Sequence, residues 1–315
     1  MHDYSRNWNL YNNLLVNRGR PSTYIKSAVS HYKEDLLKMN DSKVGHPYSY
    51  TNMLIISAFA VKSVFKIGYR EAAGTVADYT EGVGLSQHPD FRTIHWRISK
   101  VKRSGIKFMI YSRGGKDLEV VIDSSGIKST NDGEYRSTKY GKIKVWKKIH
   151  IAMNPNTHKI LNIIVTENDV GDSREFMPLM NPIEEMNKVS KVIADGAHDS
   201  EENFKHCDDN GIDPKIPVHI NATGQKGWHR RKRVEKQLGI KRRRGRNQSV
   251  IPAKEIRRRN QNKWKEESGY HKRSLVETVL SVFKSAFGEY TFSKTDEMKE
   301  KELLLKAVVY NRFLT

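Results

Sequence analysis

Three acidic residues and one cationic stripe could do chemistry together. Asp123 ends the apolar run Leu118-Glu119-Val120-Val121-Ile122, and Asp195 ends the run Val189 to Ala194. Glu277 lies in Tyr270-x2-Arg273-x3-Glu277-x6-Lys284. Read as a helix of 3.6 residues per turn, Tyr270, Glu277 and Lys284 fall on one stripe, with Arg273 one turn before Glu277. In an open sheet, functional groups collect beyond the carboxyl ends of the strands. If the strands ending in Asp123 and Asp195 are neighbours, those carboxylates meet there, and a helix packed beside them delivers Glu277. Clustered carboxylates repel one another at neutral pH unless cations bind. Hard oxygen ligands select Mg²⁺ or Mn²⁺, and two such ions about 4 Å apart clamp the attacking and leaving oxygens of a phosphoryl transfer. Each residue also has a plainer reading. An Asp at a strand end commonly caps a turn, and Arg273 with Glu277 makes an i, i+4 pair worth about 0.2–0.5 kcal/mol.

The elements that must position these groups can be read from the pattern. Val276, Leu280, Phe283 and Phe287 give the Glu277 helix an apolar stripe, with Leu275, Val279, Val282 and Ala286 lining much of the rest, so the helix reads as mostly buried. Leu118 to Asp123 reads as a short buried strand. Residues 143 to 153 alternate, with Ile143, Val145, Ile149, Ile151 and Met153 on one face. Asn154-Pro155-Asn156-Thr157 is a turn, and Lys159 to Thr166 the returning strand. Asp172-Ser173-Arg174-Glu175 has the spacing of a capping box. Val189 to Ala194, a helix from Asp199 to about Asn210, and a fifth strand from Ile212 to Val218 follow. Three meandering strands, then helix, strand, helix, strand, predict an α/β fold with a mixed five-stranded sheet flanked by helices. Residues 296 to 313 read as an amphipathic helix.

Before Gly105 the texture is helical. Residues 22 to 40, 52 to 66, 69 to 80 and 90 to 103 read as helices separated by Gly and Pro breaks. Thr93, Arg97, Lys100, Lys102 and Arg103 are placed to meet phosphates. The arrangement is compatible with a helix-turn-helix DNA reader and equally with a helical bundle packing on the next domain.

Charge narrows the partner. The 315 residues hold 56 Lys and Arg against 36 acids, a net charge of +20. Residues 226 to 259 alone hold fifteen Lys and Arg against Glu235 and Glu255, leaving +13, with Trp228 and His229 interleaved. Such a segment binds phosphates by counterion release whether or not it is ordered. No apolar run approaches a membrane span and no signal peptide is visible, so the expectation is a soluble, cytoplasmic protein whose polyanion is nucleic acid. A single cysteine, Cys207, excludes a disulfide framework and a cysteine zinc site.

Val121-Ile122-Asp123-Ser124-Ser125-Gly126, Val192-Ile193-Ala194-Asp195-Gly196-Ala197-His198-Asp199 and the Tyr270, Arg273, Glu277, Lys284 spacing resemble the motifs of DDE transposases. They are most similar to prokaryotic insertion-sequence enzymes with the Y-R-E-K signature, over about residue 50 to the C-terminus. The resemblance implies a ribonuclease H-like catalytic domain over residues 106–315, preceded by an α-helical DNA-binding region over residues 1–105. It implies Asp123, Asp195 and Glu277 as catalytic ligands of Mg²⁺ or Mn²⁺, two ions in all, and Tyr270, Arg273 and Lys284 as contacts to DNA phosphates near the cut end. Gly196 would let the chain turn after its ligand, with His198 close by, and Asp172 would cap a helix. A basic insertion at about 219–269 would add Arg230, Arg231, Arg233, Arg242, Arg243, Arg244 and Arg246. At about 50 residues, it is too short for the large β-rich insertion of some relatives. The implied activity is metal-dependent cleavage of double-stranded DNA at terminal inverted repeats and strand transfer to target DNA by a homodimer on DNA, at the nucleoid of a prokaryotic cell. A ribonuclease H-like nuclease without strand transfer, or a transposase-derived DNA-binding protein without catalysis, are the alternatives.

The basic segment gives a direct test. Neutralising Arg242, Arg243, Arg244 and Arg246 together is expected to lower the slope of log K against log salt by about 3 to 4 while preference for the element's ends remains. Gel-shift titration across salt measures it, and an unchanged slope would place the segment away from DNA.

Overall fold

The structure, a computed structural model, describes residues 8–111, 117–129, 146–223, 227–242 and 249–314. Its N-terminal part is helical: α1 (Trp8–Arg18), α2 (Ser22–Ser30), α3 (Tyr32–Asn40), α4 (Asn52–Phe65), α5 (Tyr69–Gly82), α6 (Phe91–Lys100) and α7 (Arg103–Ile110). Thr51 opens α4 by accepting the Leu54 amide at 3.1 Å, and Asp90 opens α6 by accepting the Thr93 amide at 2.7 Å. These side chains satisfy amides that a helix start leaves without intrahelical partners. The stretch 22 to 40, expected as one helix, is two, broken at His31. The stretch 90 to 103 likewise breaks at Val101 and Lys102, both in extended conformation.

The sheet follows. β1 (Leu118–Ser129), β2 (Trp146–Met153) and β3 (Ile160–Glu167) form an antiparallel meander. Its second turn is held by Asn154, whose Oδ1 accepts the Asn156 amide at 2.8 Å. Of the β2 residues expected on one face, Ile143 and Val145 lie outside the described residues, while Ile149, Ile151 and Met153 are buried together. α8 (Phe176–Met186), β4 (Val189–Ile193), α9 (Glu201–Asp209) and β5 (Asp213–Lys215) complete the alternation. Strand order is β3-β2-β1-β4-β5, with β4 parallel to β1 and β5 parallel to β4. This is the mixed, helix-flanked sheet that the element order implied. It has one addition: β8 (Tyr290–Thr291) pairs parallel with the far end of β1, making six strands among the described residues. β5 is shorter than the expected 212–218.

Strand alternation sorts the core into two layers. Val121, Ile149, Ile151, Ile163 and Ile193 face one way and pack with the N-terminal helices, α12 (Ser274–Phe287) and α13 (Asp296–Arg312). Leu118, Val120, Ile122, Val192 and Ala194 face the other way, against α8, α9 and α10 (Trp228–Leu238). β6 (Lys241–Arg242) and β7 (Ser249–Val250) form a small hairpin, and α11 (Lys254–Ser268) leads to a 3-10 turn, Tyr270–Arg273, directly before α12. Tyr270 is therefore not on the α-helix that carries Glu277 and Lys284, as the seven-residue spacing suggested. Gly269 at φ +75° turns the chain sharply there, a backbone conformation costly for residues with a Cβ. Among the described residues no single helix is long and apolar enough to cross a membrane.

α13 corrects the expectation of an amphipathic helix. Lys299 and every residue from Lys301 to Tyr310 are buried, Glu302 and Lys306 included. Their charges are tolerated because they are paired. Lys306 meets Glu302 at 2.8 Å and donates to the Tyr290 carbonyl at 3.0 Å, while Lys301 donates to the Ser99 carbonyl at 2.6 Å. Glu302 also accepts the Phe292 and Ser293 amides. Burial alone would raise the Glu302 carboxyl, but the Lys306 and Lys62 ammonium groups hold it below its ordinary value. Its stabilising contribution is thus present at neutral pH and lost as pH falls below the ordinary carboxylate range. Glu302→Ala would leave Lys306 without its counter-charge in the core. The expected loss is about 3–5 kcal/mol at pH 7, measured by chemical denaturation, and smaller in acid.

Candidate functional site

Because β1 and β4 are parallel and adjacent, with Val121 opposite Ile193, both strands point their carboxyl ends the same way. Asp123 lies two residues beyond Val121, and Asp195 two beyond Ile193. The two acids therefore stand at the same end of neighbouring strands. Asp123 is largely buried; its Oδ1 accepts the Ser124 amide at 2.9 Å and its Oδ2 accepts from Arg273 at 3.0 Å. Burial pushes its carboxyl above the ordinary value, and the charge of Asp195 adds to that push, against the Ser124 amide and the Arg273 guanidinium. Asp195 Oδ1 accepts the Ala197 amide at 3.0 Å and so caps the 3-10 turn Gly196–His198. The turn-cap reading holds for this residue, which also stands at the same strand ends as Asp123. Gly196 is needed for space rather than for a left-handed turn: an added Cβ would lie 3.3 Å from the Pro217 carbonyl oxygen.

α12 brings the third acid. Arg273 reaches Asp123 with one nitrogen and Glu277 with the other, at 2.8 Å. Lys272 binds Glu119 at 2.5 Å, and Lys191 of β4 binds the same carboxylate at 2.7 Å. The 3-10 turn is thereby tied to β1 at two points, Glu119 and Asp123, on the same face of the strand. Asp123, Ser124, Ser125, Glu277, Lys284 and Glu289 line a cleft of about 540 Å³. Tyr270 packs near Trp264 with ring centroids 6.0 Å apart. Burial raises its phenol; Asp195, Asp123 and Glu277 add to the rise, against Arg273. It stays protonated and able to donate.

Asp123, Glu277 and Lys284 thus line one cleft, Arg273 bridges the two acids, and the Asp195 charge is close enough to act on Asp123 and on the Tyr270 phenol. The donor set is carboxylate oxygen, the chemistry that a hard divalent ion takes. Among the described residues, however, no three His, Cys, Asp or Glu side chains stand close enough to hold one ion. Arg273 occupies the place between Asp123 and Glu277.

The basic insertion divides. Arg230 is bidentate to Asp199 at 2.7 Å, and Arg233 pairs with Asp208, so both are turned to acids flanking or within α9. Arg231 lies 4.0 Å from Glu235. Arg242 stands in β6; its side chain, with Arg243, Arg244 and Arg246, lies outside the described residues. Of the N-terminal residues expected to meet phosphates, Arg97 is buried and donates to the Tyr50 carbonyl and Asn52 Oδ1, and Arg103 pairs with Glu300 at 2.6 Å. The free face of α6 instead carries Arg92, His95, Trp96 and Lys100, all exposed.

Asp172 corrects another reading. It caps no helix: the 3-10 turn Asp172–Glu175 starts with no side-chain cap bond. Its carboxylate lies 2.7 Å from the Lys148 ammonium and 3.2 Å from His150 Nδ1. The signal that could have found this is in β2, where a lysine and a histidine share the parity of buried Ala152.

Residues 114–312 match a family described as Transposase DDE domain, and residues 16–132 match a second family of the same description. The chain belongs to the Transposase DDE domain family. The family is one of transposases, which normally use divalent metal ions. Among solved structures, the chain is distantly similar to a piggyBac transposase synaptic complex with hairpin DNA, with TM-score 0.42 and 13% identity over 96% of this chain and 74% of that one. It is also similar to the Drosophila P element transposase strand transfer complex, with TM-score 0.32 and 13% identity over 65% of this chain. This chain spans 44% of that second one.

Arg273 gives this subsection its test. Arg273→Met would leave buried Asp123 without its guanidinium. The expected loss of stability is about 1–3 kcal/mol at pH 7. The loss should shrink as pH falls through the raised carboxyl value of Asp123, because the protonated acid has no charge to pair. Denaturant melts at pH 7 and in acid check this; an equal loss at both would assign Arg273 a packing role alone.

Proposed function

We propose that this DDE-family chain is a transposase of a prokaryotic insertion sequence with the Y-R-E-K signature. It would bind the element's terminal inverted repeats, cut a strand at each end and join the 3′-hydroxyl to target DNA. The observation that carries this reading is the placement of Asp123 and Asp195 at the shared end of parallel neighbours, with Glu277 on the same cleft as Asp123. Those three acids would hold two Mg²⁺ or Mn²⁺ ions. When bound, the ions supply positive charge that activates a water or 3′-hydroxyl and stabilises the departing 3′-oxygen.

The chain's own residues do the rest. Arg273 neutralises Asp123 and Glu277 in the protein alone and presents a planar, bidentate donor to a phosphate at the cut end. Lys284 adds a second cation on the same cleft, and the protonated Tyr270 phenol a neutral donor. The 1–105 helices would supply end recognition. α6 supports this with an exposed face of Arg92, His95, Trp96 and Lys100 and no acidic residue in the helix. Exposed Arg258 and Arg259 on α11 would add phosphate contacts that carry no sequence information. Two ends must be cut together, so the working form would be a homodimer on double-stranded DNA, at the nucleoid in the cytoplasm.

An assay with the element's own ends and Mg²⁺ tests the proposal. Glu277→Gln is expected to lower nicking by several orders of magnitude, since it removes a charge that holds a metal stabilising the transition state. End affinity by gel shift should stay nearly unchanged, because cations elsewhere carry it. Nicking near the parent rate would mean that the Arg273–Glu277 pair is structural. A DNA-binding protein without catalysis would bind the ends with parent chain and variant alike and nick with neither.

A further inference from the structure

Beneath the strand ends, on the sheet face opposite Asp123, lies a second polar cluster that the reaction does not use directly. Asp172 is its centre. Its side chain is 15% exposed and meets Lys148 at 2.7 Å and His150 Nδ1 at 3.2 Å; both partners are on β2. The Ser124 hydroxyl lies near enough to favour its charged form as well. Burial by itself would raise the Asp172 carboxyl, but the bonds from His150, Lys148 and Ser124 hold it far below the usual carboxylate range, so it is ionised throughout. His150 is fixed from its other side by Thr166 at 2.9 Å.

The cluster touches both catalytic strand ends. Ser124 follows Asp123 in β1, and its amide is already the donor to Asp123 Oδ1. One residue therefore faces Asp123 with its backbone and Asp172 with its side chain. On the β4 side, His198 is buried in the turn that Asp195 caps, with Nε2 4.0 Å from Asp195 Oδ1, and the Asp172 charge acts on it too. Asn203, itself buried, donates to the His198 carbonyl at 3.1 Å and to Ser173 at 3.3 Å. The Asp195 turn is thus stitched to the residue next to Asp172.

We propose that Asp172 is a positioning residue that sets the separation and orientation of Asp123 and Asp195, acting through Ser124 on one strand and the His198 turn on the other. It touches neither substrate nor ion. A largely buried anion held against Lys148 and His150 of β2, with Ser124 of β1 beside it, cannot shift without leaving those cations unpaired, so it fixes the strand tips more firmly than apolar packing would. Groups of this kind behind a metal's own ligands typically change metal affinity or rate by 10- to 100-fold when altered. The inference rests on the metal-dependent reading above.

The test uses the full chain. Mn²⁺ affinity of the protein without DNA is measured by electron paramagnetic resonance, and nicking of terminal-repeat duplex is measured with kcat and KM separated. Asp172→Asn keeps the shape and removes the charge. Expected are a 10- to 100-fold weaker Mn²⁺ affinity, a fall in kcat of about that size, and an unchanged KM for DNA. Asp172→Glu should recover part of both. Ser124→Ala removes one link alone and should weaken Mn²⁺ affinity by a smaller factor; it decides the matter if Asp172→Asn does not fold. Parent-like Mn²⁺ affinity and kcat in the folded Asp172→Asn chain, or in Ser124→Ala where that chain does not fold, overturn the inference alone. A parent chain that binds no Mn²⁺ overturns the metal-dependent reading, and this inference with it.

Discussion

The parallel pairing of β1 with β4 is the constraint on which the remainder depends. An antiparallel neighbour would have sent Asp195 to the opposite end of the sheet from Asp123. The register that sets Val121 against Ile193 also equalises the distance each acid stands beyond its pair. Parallel strands need a crossover, and here the crossover runs through β2, β3 and α8 before β4 begins. Because β4 adds on the side of β1 away from β2, β1 is central and both of its edges are occupied. β1 is therefore among the strands least able to slip, since a one-residue shift would exchange the core faces of Val121 and Ile122.

Much of this was legible because it is local. The alternation in β2, the asparagine turn after it and the short apolar runs ending in acids specify strands and their ends without reference to anything distant. What was not legible is long-range. The capping-box spacing at Asp172 is a local signal that lost to Lys148 and His150, residues more than twenty positions earlier. The α-helical stripe drawn from Tyr270 to Lys284 was right from Arg273 onward and failed before it, because Gly269 and the tie from Lys272 to Glu119 tighten the first turn into 3-10 form. The charges of α13 suggested an amphipathic helix; only the three-dimensional partners of Lys301 and Lys306 explain how a lysine-rich helix can be buried.

Charge was the least transferable inference from composition. A count of fifteen cations over residues 226 to 259 treats them as equivalent, yet α10 uses its own arginines internally. Asp199 and Asp208, just before and within α9, each take one in a close ion pair, and Glu201 accepts the His229 and Arg230 amides at the start of α10. Among the described residues, the cations of this segment left facing solvent are Lys232 and Lys236 on α10, Lys241 on β6, and Lys254, Arg258 and Arg259 on α11.

That pairing has a mechanical side. Asp199 sits four residues after Asp195, at the end of the turn that Asp195 caps, and its second oxygen also accepts the His219 amide at 2.9 Å. A bidentate arginine–carboxylate pair is directional as well as strong, so α10 is fastened to the turn that Asp195 caps. On the other side, α11 ends at Gly269 and passes straight into the Tyr270–Arg273 turn, which is fastened to β1. The basic segment is consequently anchored at one end to the Asp195 side of the site and at the other to the Asp123 and Glu277 side. A load along α11 would bear on both anchors, so the placement of the insertion and that of the three acids are mechanically linked.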